Sequence, residues 1–112
     1  MRYALLINER PGAYDGLSGD ERAAIGAEYT ALRQDVRVIA GERLQPAGTA
    51  TTVRVEGGEP LLTDGPFADT KEIFGGFYLV EAADLDEALE LAARIPAARL
   101  GGSVEVRPLA ER

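Results

Sequence analysis

Apolar and polar positions along this chain switch between two periods, and the switches divide it into elements. Tyr3 to Ile7 is an unbroken apolar run closed by Asn8-Glu9 and then Pro11-Gly12. Its length and its ending predict a strand apolar on both faces. Ser18-Gly19-Asp20-Glu21 has the form of a capping box. The Ser18 hydroxyl can accept from an orphan amide of the first turn while Glu21 reaches back to the Ser18 amide. Ile25, Tyr29, Leu32 and Val36 follow at i, i+4, i+7 and i+11, which predicts a helix burying that face. Gly26 weakens this helix by about 1 kcal/mol relative to Ala, and either lets a strand approach or is incidental.

Arg37-Val38-Ile39-Ala40 predicts a second strand, ended by Gly41. From Thr49 to Glu56 the residues alternate, with Thr49, Thr51, Val53 and Val55 on one side and Thr52, Arg54 and Glu56 on the other. Gly57-Gly58 supplies the positive φ angles of a two-residue hairpin turn. Pro60 places the returning strand, Leu61-Leu62-Thr63, at an edge. Phe77 to Glu81 is another strand apolar on both faces. Asp84 then caps a second helix, with Leu85, Ala88, Leu89, Ala92 and Ile95 as its buried stripe and Pro96 as its stop. Ser103 to Arg107 alternates as a closing strand.

The order is β-α-β, an inserted hairpin, then β-α-β. Two such units interleaved make a four-stranded antiparallel sheet with both helices on one face, the ferredoxin-like α+β arrangement. The other sheet face is left bare, although the first strand and the strand at Phe77 are apolar on both sides. A patch of that size is a liability in water, so a homodimer packed sheet to sheet around a two-fold axis is expected.

Length and composition sharpen this picture. A chain of 112 residues predicts one domain over 1–112. It contains no cysteine and no histidine, which removes disulfides, thiolate catalysis, zinc-thiolate sites and the commonest general base and metal ligand. Carboxylates, tyrosines, hydroxyls and Lys71 remain for chemistry, and nothing in the sequence demands a metal or another cofactor. The formal net charge of -7 opposes a nucleic-acid partner. No apolar run approaches the ~20 residues that would cross a bilayer, so a soluble, cytoplasmic protein is expected.

The densest candidate region is Thr63-Asp64-Gly65-Pro66-Phe67-Ala68-Asp69-Thr70-Lys71-Glu72. Turn chemistry alone can explain its first half: Asp64 accepts nearby amides, Gly65 bends and Pro66 stiffens. Lys71, however, is the one lysine among the 12 Lys and Arg residues, and lysine offers a point charge whose pKa burial can lower. Gly75-Gly76 before a buried strand indicates a bulge or a close backbone approach. Tyr78 and Glu72 could then border a cavity, or Tyr78 could be an interfacial aromatic. Glu42, after the second strand, either faces inward or pairs with Arg43 in water.

Together, Leu44-Gln45-Pro46, Ala50-Thr51-Thr52-Val53-Arg54, the stretch Thr63 to Glu72, Gly75-Gly76-Phe77-Tyr78, Ala93-Arg94-Ile95-Pro96 and Gly102 to Pro108 resemble the YCII-related family in its DGPF-containing branch. The resemblance implies a dimeric α+β barrel. Some YCII proteins are thought to use a His-Asp pair, and one branch dehydrochlorinates an aromatic ring; this chain lacks the histidine half of such a pair. The DGPF branch is also associated with extracytoplasmic-function sigma factors through gene context. Two functions are therefore carried forward. One is a small-molecule enzyme in which Asp64 or Glu72 moves a proton and Lys71 steadies an anion, with Glu42, Phe67 and Tyr78 contacting the ligand. The other is a non-catalytic sensor or regulatory module linked to a sigma factor.

Overall fold

The computed structural model describes residues 1–65 and 72–110. Its strands are β1 (Arg2–Glu9), β2 (Val38–Arg43), β3 (Thr51–Glu56), β4 (Glu59–Asp64), β5 (Ile73–Glu81) and β6 (Ser103–Pro108), and its helices are α1 (Gly19–Arg33) and α2 (Leu85–Ala93). Four strands form one antiparallel sheet in the order β2-β5-β1-β6. Each β-α-β unit thus inserts between the strands of the other, and the fold is the ferredoxin-like α+β arrangement. Tyr3, Leu5 and Ile7 of β1 and Tyr78 and Val80 of β5 point to one face, where Leu32 of α1 and Ala88, Leu91 and Ala92 of α2 cover them, with Ile95 just beyond. Ala4, Leu6, Phe77 and Leu79 point to the other face and are half-buried. Among the described residues no helix is long and apolar enough to cross a membrane.

Local chemistry sets the boundaries. The Ser18 capping box is complete: its hydroxyl accepts from the Glu21 amide at 3.1 Å, and its own amide donates to the Glu21 carboxylate at 3.2 Å. Asp84 accepts from the Glu87 amide at 2.9 Å and starts α2. Gly57 and Gly58, with φ of 57° and 80°, close the β3-β4 hairpin, which forms a separate two-stranded sheet. This arm leaves Val53, Val55, Leu61 and Leu62 exposed. It raises the radius of gyration to 15.9 Å, against about 13 Å for a compact chain of this length.

Several expectations need correction. Val36 does not continue the buried stripe of α1; the helix ends at Arg33, and Val36 is 98% exposed. There the Asp35 carboxylate takes the Arg37 amide at 2.9 Å and turns the chain into β2. Gly41 does not end β2 but lies inside it, paired with Tyr78, and it is the crowding of the Tyr78 ring, which a Cβ would strike, that calls for glycine there. Thr49 belongs to a 3-10 turn, Ala47–Thr49, rather than to β3. On α2 the buried stripe is Ala88, Leu91, Ala92 and Ile95, whereas Leu85 and Leu89 are 48% and 45% exposed. The strand expected from Phe77 starts at Ile73, and the two glycines lie within it. The register passes from Ile7 opposite Gly76 to Asn8 opposite Phe74, so Gly75 is a bulge. A Cβ at Gly76 would lie 2.6 Å from the Glu42 carbonyl oxygen. Both readings of the paired glycines hold.

Candidate functional site

A cavity of 390 Å³ opens between α1 and the end of the sheet where β1, β2 and β5 meet. The helix supplies Arg22, Ile25, Gly26, Tyr29, Thr30 and Arg33, which recur at its period on one side. Apart from its own helix backbone, no atom of the described residues lies within 4 Å of where a Gly26 Cβ would sit, so this glycine leaves open space and brings no described strand close. The sheet supplies Ile7, Glu9, Arg43 and the segment 75–78, and Tyr14 comes from the loop after β1. That loop turns at Gly12 and Gly16, with φ of 75° and 78°. Arg22 ties it to the helix by donating to the Tyr14 carbonyl at 2.7 Å and the Leu17 carbonyl at 3.4 Å.

Three of the chain's four tyrosines meet here. Tyr14 donates to Glu9 Oε1 at 3.5 Å. The Tyr29 hydroxyl is buried and no group meets it at hydrogen-bond distance and angle among the described residues. Burial pushes its pKa well up; interaction with the Tyr14 phenol, close to hydrogen-bonding range, adds to the rise, as do the Glu9 and Tyr78 charges. Tyr78 is also raised by burial, with Arg33 acting against the rise. Both phenols are therefore neutral donors at physiological pH, not bases. Beside them stand three cationic groups, Arg22, Arg33 and Arg43, and two carboxylates, Glu9 and Glu42. Such a lining suits a ligand with several oxygen acceptors, at least one carrying negative charge.

Of the residues singled out from sequence, Tyr78 is a wall of this cavity and Glu42 borders it from β2. Glu42 lies opposite Phe77 in the strand register, on the sheet side away from Tyr78, and is exposed. Asp64 does not line the cavity; it is exposed at the end of β4, opposite Thr51. Glu72 does not line it either, and its Oε2 accepts from the Ser103 hydroxyl at 2.7 Å, a tie between the start of β5 and β6. Lys71 and Phe67 lie outside the described residues. Glu9, Tyr14, Tyr29, Arg33 and Arg43 were missed. Tyr29 carried the one available signal, because a tyrosine on a buried stripe brings a hydroxyl that must find a partner.

The YCII-related domain model matches residues 1–111. An uncharacterized protein of Rhizobium meliloti (strain 1021) is 40% identical over 116 residues, covering 98% of this chain and 93% of that one. The chain belongs to the YCII-related family. Among solved structures it is similar to 5-chloro-2-hydroxyhydroquinone dehydrochlorinase from Burkholderia phenoliruptrix AC1100, determined in complex with 2,5-dihydroxybenzoquinone. That likeness covers 100% of this chain and 96% of the other at a TM-score of 0.58 and 21% identity, which is a likeness of fold.

Proposed function

We propose that this YCII-related protein is a single domain that binds a small, oxygen-rich ring molecule of the hydroxyquinone or polyphenol class in the cavity under α1. The buried, unpartnered Tyr29 hydroxyl carries the proposal. A buried hydroxyl without a well-placed acceptor is mildly unfavourable to the fold, and an acceptor oxygen of the ligand would relieve it. The raised pKa of Tyr29 keeps it a donor, and Arg33 and Arg43 neutralise an ionised ring oxygen. The fold neighbour's complex with 2,5-dihydroxybenzoquinone supports the ligand class by analogy. Where the ligand is transformed, Glu9 is the carboxylate placed to take a proton, in the role first assigned to Asp64 or Glu72; where it is only sensed, the same donors bind it without turnover. Titration calorimetry with 2,5-dihydroxybenzoquinone tests this: binding that weakens about tenfold in Tyr29→Phe supports it, and absence of binding or an unchanged affinity overturns it.

The motif Asp64-Gly65-Pro66-Phe67 supports placement in the DGPF branch, with its cytoplasmic, sigma-factor-linked setting as the regulatory alternative. The half-buried patch of Ala4, Leu6, Phe77 and Leu79 supports a two-fold homodimer packed through that face. Light scattering on Leu6→Glu should then report half the mass of the wild type. Equal masses would contradict the pairing.

A further inference from the structure

Resting on the reading of a ligand in the cavity under α1, we infer that Gly26 is a specificity-determining position of that site. Its missing side chain leaves the room in which the ring lies against the backbone of α1. Gly26 stands in the interior of α1, Gly19–Arg33, where glycine is the least favourable residue after proline. A fold can require glycine inside an element for a positive φ or for a close approach of neighbouring atoms. Neither reason holds here. Its φ is outside the left-handed region that Gly12 and Gly16 adopt, and a Cβ on it would meet no described atom within 4 Å beyond its own helix backbone. Gly41 and Gly76 are different, since a Cβ there would strike the Tyr78 ring and the Glu42 carbonyl oxygen.

What Gly26 does face is the cavity. Arg22, Tyr29, Thr30 and Arg33 stand at i−4, i+3, i+4 and i+7 from it, and all of them line the same cavity. A side chain at position 26 would leave the helix inside the arc that they span. Thr30 donates its hydroxyl to the Gly26 carbonyl at 3.0 Å, so that donor is spent within the helix. The result is a patch of bare backbone with Arg22 one turn before it and the unsatisfied Tyr29 hydroxyl one turn after it. A flat ring can approach bare backbone more closely than any side chain would allow. A helix rule broken without gain to the fold is the signature of a site.

A side-chain series at position 26 tests this, with melting followed by circular dichroism and affinity for 2,5-dihydroxybenzoquinone measured by calorimetry. Ala and Leu both favour a helix, so Gly26→Ala and Gly26→Leu should melt no lower than the wild type, and Gly26→Ala about 4 °C higher. Affinity should fall with side-chain volume, about threefold in Gly26→Ala and more than about tenfold in Gly26→Leu. Ala27→Leu, at an exposed neighbouring position that does not line the cavity, should leave affinity unchanged. Unchanged affinity in both Gly26 variants would overturn the inference, and a loss still seen in Tyr29→Phe would then leave the ring site standing without it. A lower melting temperature in Gly26→Ala would also overturn it, by showing that the fold needs this glycine. So would an equal loss of affinity in Ala27→Leu. Affinity that falls in the Gly26 series but holds in Tyr29→Phe would keep the open wall of α1 and overturn the role given to Tyr29. Failure of the wild type to bind would overturn both.

Discussion

Two regions served by α1 treat polar groups in opposite ways. Just past the end of the helix, the Asp35 carboxylate is 14% exposed and fully engaged. Arg37 donates to it from its amide and Nε at 2.9 Å each and from Nη2 at 2.7 Å, and Arg94 adds Nη1 at 3.2 Å. Arg37 also faces Glu87 at 3.6 Å, so the junction ties α1, β2 and α2 together. Within the same helix, the Tyr29 hydroxyl is buried with no partner at hydrogen-bond distance and angle among the described residues, the Tyr14 phenol being the polar group beside it. A folded chain gains nothing from that orphan, whereas it gains much from the satisfied carboxylate. The contrast separates a polar group that holds the fold from one that the fold leaves unsatisfied, the group on which the proposed ligand site rests.

Mutations can break or sharpen that contrast. The largest stability effect should come from Asp35→Ala, which strips four donors of their acceptor and should cost about 2–3 kcal/mol in urea unfolding. Next is the acid response. The Arg37 guanidinium holds the Asp35 carboxyl well below the usual carboxylate range. Its contribution is thus complete above the ordinary value of about 4 and is lost as pH falls below that toward the folded-state value. Asp35→Asn should flatten the fall in melting temperature over that acid window, and an unchanged slope would show that other carboxylates set it. Ser18→Ala, which removes half of the capping box, should cost about 1 kcal/mol in the same unfolding assay. Tyr29→Phe should have the smallest effect, leaving stability unchanged or slightly raised, because it deletes an unpaired hydroxyl and little packing.

The fold was largely legible because its signals are local. The capping box at Ser18, the Asp84 cap, the Gly57-Gly58 turn and the two-faced apolar runs each need only neighbouring residues to be read. Phase errors arose where few turns leave the period undecided. On α2, Leu85-Ala88-Leu89-Ala92 and Ala88-Leu91-Ala92-Ile95 both fit a helical stripe, and packing against the sheet selects the second. Val36 fitted the period of α1 but lies beyond the turn that Asp35 makes with Arg37.

The site was much less legible. Glu9, Tyr14, Tyr29, Arg43 and Tyr78 come from five separate stretches, and only the strand order and the seat of α1 bring them to one cavity. The conspicuous segment from Asp64 to Glu72 drew attention by its composition. Its described members lie elsewhere: Asp64 at the foot of the arm, and Glu72 tied to Ser103. Tyr78 was found because the paired glycines before it point to a close backbone approach, while Tyr29 was hidden by fitting the helix stripe too well.

The most direct measurement is a paired one on a single substitution, Tyr29→Phe, comparing unfolding free energy without ligand and calorimetric affinity for 2,5-dihydroxybenzoquinone. If the orphan hydroxyl serves a ligand, stability holds or rises while affinity falls about tenfold, or ~1.4 kcal/mol. A loss of stability with affinity unchanged would contradict it and make Tyr29 a core residue like its neighbour Leu32.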